Sequence, residues 1–219
     1  MTRESLPPVQ IVPLGDSALT VVLGDQVSLD VSRRVHALTR RVGAERVPGV
    51  TEIVPAYSSL TVFYDALATD ARSVSERLRK IAERADAADA ATQPTEHVLP
   101  VTYDGEDLDH VAHSCGLSPD DVIALHAHTP YSVFFLGFVP GFAYLGTLPP
   151  ALVLPRRTVP RRTVPAGAVA IAGQQTAVYP LATPGGWHLI GHTTAELWNP
   201  ERHPPALLAP GDVVRFEPR

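Results

Sequence analysis

The sequence contains very little cysteine and lysine, and these shortages exclude several chemistries. Cys115 is the single cysteine among 219 residues, so an internal disulfide and a zinc site of paired cysteines are both excluded. We expect Cys115 to be a buried, inert thiol, with a nucleophile as the alternative. Lys80 is the only lysine and lies in an Arg- and Ala-rich helical pattern, and no G-x-G-x-x-G motif opens a helix after a strand. Lysine-based catalysis and nucleotide binding by a standard phosphate loop are therefore not expected.

Long apolar runs are also missing. No stretch of about 18 apolar residues is present to span a bilayer. The first residues, with Arg3 and Glu4 ahead of Pro7 and Pro8, lack the apolar segment of a secretory signal. The formal net charge of −5 and the shortage of lysine disfavour nucleic-acid binding. We expect a cytoplasmic protein with neither a membrane nor a nucleic acid among its partners.

Acidic residues are missing from one long internal segment, between Asp121 and Glu196. Inside it, residues 156–160 and 161–165 repeat the pentad Arg-Arg-Thr-Val-Pro. A guanidinium group is planar, permanently charged and suited to bidentate recognition of carboxylate or phosphate. The segment predicts an anion site formed by Arg156, Arg157, Arg161 and Arg162. The alternative is that these arginines solvate a surface loop, or pair with acidic residues of the N-terminal half or of a partner.

The first half of the chain alternates strand-like and helical patterns, which indicates an α+β fold. Strands are predicted at residues 9–13, 18–23, 50–54 and 60–64. One helix has an apolar face from Val27 to Val42, and a second has Val74, Leu78, Ile81 and Ala85 facing inward. We interpret this order as a ferredoxin-like α+β sandwich. An Ala-, Asp- and Thr-rich stretch at 86–96 is typical of a linker, so we place a domain boundary between residues 1–93 and 94–219.

The second half is rich in short strands and turns, which favours a barrel or sandwich. Helices are predicted at residues 108–115 and 120–128, the second with a capping box formed by Ser118 and Asp121 around Pro119. Strands are predicted at residues 97–103, 132–137, 168–172, 177–180, 188–191 and 213–217.

Two histidines are the candidate acid and base. His188 and His192 are four residues apart on a predicted strand, so they are expected to point to the same face, beside Trp187. The alternative is that each is a structural histidine. The spacing of the other histidines does not match a zinc site, and no G-x-S-x-G elbow is present, so neither a metal centre nor a serine hydrolase is expected.

The order of the motifs resembles the KipI/PxpB family, also described as allophanate hydrolase subunit 1 or carboxyltransferase subdomain C/D. The matching motifs are LGFVPGFAYLG at 136–146, PRR at 155–157, PR at 160–161, VPAG at 164–167, IAG at 171–173, QT at 175–176, YP at 179–180, PGGW at 184–187 and IG at 190–191, with GDSA at 15–18 and PGD at 210–212. Where many relatives have Gly-Arg-Thr, this chain has His192 between Gly191 and Thr193, so a contact made there would be weaker and pH-dependent.

The resemblance implies a cyclophilin-like β-barrel for residues 94–219 and work within a complex. It implies the B component of an ATP-dependent 5-oxoprolinase, which opens 5-oxoproline to glutamate together with KipA/PxpC-like and PxpA-like partners. ATP would act in the assembled complex, with any Mg²⁺ held by a partner protein, and this chain alone is expected to bind no cofactor. The alternatives are a KipI-like inhibitor of a sensor histidine kinase, or a component of an allophanate hydrolase or urea carboxylase type of amide-processing complex.

Two further groups of residues complete the predicted site. Hydrogen bonds to an amide substrate are assigned to Gln175, Thr176 and Tyr179, beside the aromatic surface of Trp187. A wall of the pocket or a partner interface is assigned to Pro140, Phe142, Tyr144, Gly185 and Gly186, because glycine and proline beside aromatics are unusual inside a plain strand. Some of Phe134, Phe138 and Phe142 are expected to face outward. The acid-free segment itself supplies neither a carboxylate base nor a Mg²⁺ ligand.

Overall fold

The computed structural model describes residues 9–84 and 94–219 of the chain. The chain divides into two compact units, Met1–Gln93 and Pro94–Arg219. Most of the linker expected at 86–96, and the helical position predicted for Ala85, lie outside the described residues, so the linker stays a prediction. No helix in the described ranges is both long enough and apolar enough to cross a membrane.

The first unit pairs a four-stranded antiparallel sheet with two helices. Its elements are β1 Gln10–Pro13, β2 Ala18–Val22, α1 Leu29–Glu45, β3 Val50–Pro55, β4 Ser59–Tyr64 and α2 Ala71–Arg84. The sheet order is β1-β2-β4-β3. The apolar stripes predicted from helical spacing are buried, among them Val35 and Leu38 of α1 and Leu78 and Ile81 of α2, and they form one core with the sheet.

The predicted ferredoxin-like topology is not confirmed, although the individual strands and helices are. A ferredoxin-like domain runs β-α-β-β-α-β, so its first helix follows a single strand. Here the chain turns back at Gly15, whose φ of +66° suits glycine, and β1 and β2 form a hairpin before α1 begins. The described order is therefore β-β-α-β-β-α.

The second unit is built on a seven-stranded sheet. The strands of the whole unit are β5 Glu96–Val101, β6 Tyr131–Leu136, β7 Ala143–Gly146, β8 Arg161–Val164, β9 Ala168–Ala172, β10 Gln175–Val178, β11 Thr183–Gly185, β12 His188–His192 and β13 Val213–Pro218. Its helices are α3 Leu108–Cys115 and α4 Pro119–His128, with a 3-10 turn at Pro150–Leu152. The large sheet has the order β12-β9-β10-β7-β6-β13-β5, while β8 and β11 pair separately.

The seven-stranded sheet nearly closes on itself. Thr102, directly after β5, meets His192 at the end of β12, and the two residues exchange amide-to-carbonyl hydrogen bonds of 2.9 and 2.8 Å. The two edges of the sheet are joined there, which gives the unit a barrel-like form. The β-rich barrel predicted from strand spacing is confirmed at this level, and a specifically cyclophilin-like barrel stays an expectation.

The strands β9, β10 and β12 separate two apolar clusters. We call one side the helix face, because Val169, Ile171 and Val178 pack there in one cluster with residues of α3 and α4. We call the other the aromatic face, because Ala170 and Ala177 pack there with aromatic side chains. Side chains of a strand alternate between the two sides, so the face of each site residue follows from its register.

A β-bulge in β12 breaks this alternation. The register shifts along β12, so that His188 pairs with Ile171 and His192 pairs with Ala168. Ile171 lies on the helix face and Ala168 on the aromatic face. The prediction that His188 and His192 share a face is therefore wrong, because a bulge inserts one residue and reverses the side to which later side chains point.

A buried histidine on α4 links this helix to the sheet. His126 is completely buried, its Nε2 lies 2.8 Å from Thr176 Oγ1, and Thr176 Oγ1 donates to Ala170 O at 3.1 Å. Since the hydroxyl proton of Thr176 is used on that carbonyl, His126 Nε2–H donates to Thr176 and Nδ1 accepts from the Tyr103 hydroxyl at 2.8 Å. Burial lowers the pKa of His126 to about 3.

Because His126 is neutral in the folded protein, the free energy of unfolding falls in acid. The unfolded chain protonates this imidazole below a pKa of about 6.5 and the folded chain only below about 3, so the unfolded state binds more protons between these values. We expect the free energy of unfolding to lose about 1.4 kcal/mol per pH unit through that window from this group. Urea unfolding at several pH values should show a shallower dependence in His126→Gln. His128→Gln, at an exposed position on the same helix, is the control, and equal slopes in wild type and His126→Gln would contradict the prediction.

Candidate functional site

A buried carboxylate fixes the arginine-rich segment. Asp107, at the start of α3, accepts hydrogen bonds from Arg157 Nη1 at 2.6 Å, from Arg161 Nη2 at 2.8 Å and from the Leu189 amide at 2.7 Å. Burial raises the pKa of Asp107, but the hydrogen bonds from Arg161 and Leu189 and the charges of both arginines outweigh it and lower the pKa below its usual value. We call this arrangement the Asp107 clamp.

The clamp corrects the prediction that all four arginines form one anion site. Arg161 Nε also donates to Glu106 Oε1 at 2.6 Å, so Arg157 and Arg161 are both paired with acids of their own unit. The expected alternative, pairing with acidic residues, holds for these two, and the acids lie at the start of α3 in the second unit. Arg162 is exposed on β8. Arg156 is the member of the set that lies against aromatic side chains.

A pocket on the aromatic face collects many of the predicted site residues. It has a volume of about 250 Å³. The predicted residues that line it are Phe142, Tyr144, Arg156, Tyr179, Gly185, Gly186 and Trp187. Phe138 also lines it, at the tip of the turn between β6 and β7. We call it the aromatic–arginine pocket.

Arg156 supplies the positive charge of this pocket. Its guanidinium carbon lies 5.8 Å from the centroid of the Trp187 ring, within the range of a cation–π contact. Burial raises the pKa values of Tyr144 and Tyr179, and the charge of Arg156 acts against that rise at both hydroxyls. No carboxylate in residues 9–84 or 94–219 forms an ion pair with Arg156. This guanidinium can therefore receive an anionic group of a ligand.

The aromatic wall is held by edge-to-face contacts around Phe142. The ring of Phe142 makes such contacts with Tyr144, Tyr179 and Trp187, at centroid distances of 5.0, 5.3 and 5.8 Å. Contacts of this kind add specific stability beyond the buried area. The wall is accordingly set before a ligand arrives, and it presents flat apolar surface next to one cation.

Two glycines allow the chain to pass close to this wall. A Cβ at Gly185 would lie 2.3 Å from the Tyr179 hydroxyl oxygen, whereas a Cβ at Gly186 would meet nothing nearer than 3.7 Å. Gly186 O accepts a hydrogen bond from the Arg157 amide at 2.8 Å, which ties the arginine segment to the pocket rim. Glycine at 185 is thus needed for space.

The two glycines give a matched pair of variants. We expect Gly185→Ala to displace Tyr179 or β11 and to lower the free energy of unfolding by about 1–3 kcal/mol, since extra volume in a packed site forces local shifts. Gly186→Ala should change it by less than about 0.5 kcal/mol. Chemical unfolding of both variants checks this, and equal effects would show that the close approach at Gly185 is not a constraint.

Several predicted site residues lie elsewhere. Thr176 is fully buried on the helix face and bonded to His126, while Gln175, one residue earlier, points to the other side and does not line the pocket. Adjacent residues of a strand point to opposite sides, so Thr176 does not share a cavity with Tyr179, whereas Gln175 is on the same side as Tyr179. Pro140 belongs to the turn between β6 and β7 and does not line the pocket either.

The two candidate catalytic histidines occupy different surroundings. His188 is buried and its Nε2 lies 2.9 Å from Pro155 O, on the helix face. His192 is exposed, and its Nδ1 lies 2.7 Å from Asp104 Oδ1. Neither lines the aromatic–arginine pocket, so a paired acid and base beside Trp187 is not what the structure contains.

Sequence reasoning missed the residues that organise the site. Asp107 and Glu106 lie about fifty positions before the arginines, and nothing in their local pattern marks them as partners. The expectation that some of the three phenylalanines face outward is met by Phe138, which is 60% exposed, while Phe134 and Phe142 are buried. Cys115 is partly buried and burial raises the pKa of its thiol, which disfavours the thiolate. In the described ranges, no three His, Cys, Asp or Glu side chains are placed to hold a metal ion.

The fold and the site together define the second unit as a barrel-like α/β module with a preformed aromatic pocket and one available cation. Comparison with known proteins identifies its family. Residues 9–208 match the family described as carboxyltransferase domain, subdomain C and D. The chain belongs to this family.

The chain is similar to known relatives and to solved structures over nearly its whole length. It is 45% identical to the B component of the 5-oxoprolinase of Escherichia coli O157:H7, over 94% of this chain and 94% of that protein. It is 41% identical to the B component of the 5-oxoprolinase of Bacillus subtilis (strain 168), over 94% of this chain and 91% of that protein. The crystal structure of TTHA0988 is 40% identical with a TM-score of 0.82, covering 92% of this chain and 40% of that one. The Kluyveromyces lactis urea amidolyase, at 19% identity and a TM-score of 0.79 over 96% of this chain and 15% of that one, shares the fold.

Proposed function

We propose that this chain is the B component of a 5-oxoprolinase and acts with partner proteins in the ATP-dependent opening of 5-oxoproline to glutamate. The observation that carries the proposal is the pair of relatives that bear this name, at 41 and 45% identity over 94% of the chain. Identity at this level over both units supports a shared role and not only a shared fold.

The aromatic–arginine pocket supports a role in recognising an anion of this reaction. Arg156 lies on the Trp187 ring with its charge available, and the neighbouring wall is apolar and rigid. Both the carboxylate of 5-oxoproline and a phosphate group are anions that a guanidinium binds by paired hydrogen bonds. Away from bulk water such a contact is stronger than on an open surface.

The same pocket lacks the groups that would complete a hydrolase. Its lining contains no Asp, Glu or His, so it has no general base to activate water and no carboxylate for a metal ion. A reaction at this pocket would need those groups from another chain. The similar region of TTHA0988 forms 40% of a longer polypeptide, which is compatible with a unit that works beside further protein.

The lining of the aromatic–arginine pocket does not favour ATP binding by this chain alone. A nucleotide triphosphate with Mg²⁺ needs several cations or backbone amides and at least one metal ligand, as in the known phosphoryl-transfer sites. The pocket offers one guanidinium, and the clamp occupies Arg157 and Arg161. We therefore assign the nucleotide and its Mg²⁺ to the KipA/PxpC-like or PxpA-like partner, with this chain contacting at most one anionic group.

Reconstitution tests the proposed function. We expect no measurable release of glutamate from 5-oxoproline by this chain alone, and ATP-dependent release when a KipA/PxpC-like and a PxpA-like protein from the same source are added. Omitting this chain from the mixture should abolish the reaction. Full turnover without it, or turnover by it alone, would refute a shared site.

Two alternatives are separated in the same experiment. ATP-dependent breakdown of allophanate or carboxylation of urea in place of 5-oxoproline opening would assign the chain to the urea-processing branch. Inhibition of a sensor kinase's autophosphorylation by the isolated chain, with no effect in any amide assay, would assign it to the regulatory branch.

A further inference from the structure

A second cavity lies on the helix face of β12 and shares Arg156 with the aromatic–arginine pocket. It has a volume of about 490 Å³ and is lined by residues of α3, by the segment 154–159 and by His188. The ring of His188 stacks on the ring of His110 with 5.3 Å between centroids. We call it the histidine cavity. Both its rim and its polar groups belong to the second unit.

His188 carries an unused, buried hydrogen-bond acceptor beside this cavity. A carbonyl oxygen only accepts, so the 2.9 Å contact with Pro155 O means that Nε2 carries the proton of His188 and Nδ1 carries a lone pair. The residue is 4% exposed, and no described residue partners Nδ1. Burial lowers the pKa of His188, more than the Pro155 hydrogen bond and the charge of Asp107 raise it, so the ring is neutral at pH 7.

Arg157 also lines the cavity and carries an unused, buried donor. Its Nη1 is held by Asp107 at 2.6 Å, which fixes the plane of the guanidinium. Its Nε is buried and is not bonded to any described residue. The charge of Arg157 is balanced by Asp107, so a ligand at Nε has no need to be an anion. Buried polar atoms are normally hydrogen-bonded, and two unpartnered ones beside one cavity favour a polar occupant.

We propose that the histidine cavity binds the edge of a cis amide, with the ligand N–H donating to His188 Nδ1 and its carbonyl oxygen accepting from Arg157 Nε. A cis amide, as in a lactam or a urea, presents donor and acceptor on one edge, whereas a trans amide points them in opposite directions. This inference rests on the proposed function only in taking 5-oxoproline, a lactam, as the natural ligand. It adds a site next to Arg156, which lines both cavities.

The test uses 2-pyrrolidinone, a lactam without a carboxylate, and the isolated full chain labelled with ¹⁵N. On titration, the ¹⁵N resonance of His188 Nδ1 should move in a saturable manner, because it gains a hydrogen bond. N-methyl-2-pyrrolidinone has the same ring and carbonyl but no N–H, and it should leave that resonance in place. The Nδ1 resonance of His192 serves as an internal control in both titrations.

A variant gives a second measurement. His188→Gln keeps an N–H that can donate to Pro155 O and removes the ring acceptor. We expect this variant to weaken binding of 2-pyrrolidinone by about tenfold or more. The control variant His192→Gln should bind 2-pyrrolidinone as the wild type does. If His188→Gln does not fold, the comparison of the two ligands in the wild type decides. Equal shifts with both ligands, or no shift up to the solubility limit, would overturn the proposal. Because no partner protein is needed, failed reconstitution would count against the proposed function and leave this result standing.

Discussion

Arg156→Ala is expected to lower kcat/KM of the reconstituted complex by about tenfold to more than hundredfold. One charged hydrogen-bond donor to a desolvated anion contributes about 1.5–3 kcal/mol. Arg156 is the arginine of this segment that lines the aromatic–arginine pocket without an acidic partner among the described residues. Arg156→Lys should lose nearly as much, because an ammonium keeps the charge but not the paired donors or the stacking on Trp187.

Arg162→Ala is the matched control for this prediction. Arg162 belongs to the same repeated pentad and is exposed on β8, so its loss should leave kcat/KM within about twofold. Separate titrations of ATP and 5-oxoproline then identify the anion, since a rise in KM confined to ATP indicates a phosphate and one confined to 5-oxoproline a carboxylate. Equal small effects of Arg156→Ala and Arg162→Ala would remove Arg156 from the site.

Asp107→Asn is expected to destabilise the fold more than any other substitution considered above. It leaves two guanidinium groups next to an amide instead of a carboxylate, and removing one partner of a buried ion pair costs about 3–5 kcal/mol. We expect a value near 3 kcal/mol, because 32% of the Arg157 side chain stays in contact with water. Chemical unfolding at neutral pH measures it, with Asp109→Asn, an exposed position in the first turn of the same helix, as the control.

The pH dependence gives this prediction a second readout. The pKa of Asp107 is lowered in the folded protein, so its contribution is present above the unfolded value of about 3.9 and is lost as the pH falls through the folded value. Asp107→Asn should therefore flatten the stability curve at its most acidic end, from about pH 3.9 downward, which overlaps the lower end of the His126 window. A loss below about 1 kcal/mol at neutral pH would show that the clamp does not hold the site together.

Local patterns in the sequence predict the elements of this fold well. The burial of Val35 and Leu78 follows from helical spacing, and the capping box at Ser118 and Asp121 is present on α4 as expected. These features depend on neighbours within one turn of helix, and such neighbours are visible in the sequence. The order of strands in the first sheet is not, because it depends on which hairpins pack together.

The site can be predicted from the sequence where it depends on a local motif. It cannot be predicted where it depends on contacts between residues that are far apart in the chain. The unusual local sequence of Gly185, Gly186 and Trp187 predicts a pocket, and these residues line one. The roles of Arg157 and His188 depend on distant acids and on a register shift, and neither leaves a mark in the nearby sequence. Counting charges along the chain cannot detect that a carboxylate about fifty residues earlier pairs with these arginines in the fold.

The bulge in β12 also affects how this strand tolerates substitution. In a regular strand, His188 and His192 would point to the same face of the sheet. Here one end of the strand borders an enclosed cavity, and the other meets solvent and Asp104. The two ends are thus under separate selective constraints. A homologous protein can exchange the imidazole at 192 for another polar group without a compensating change at 188.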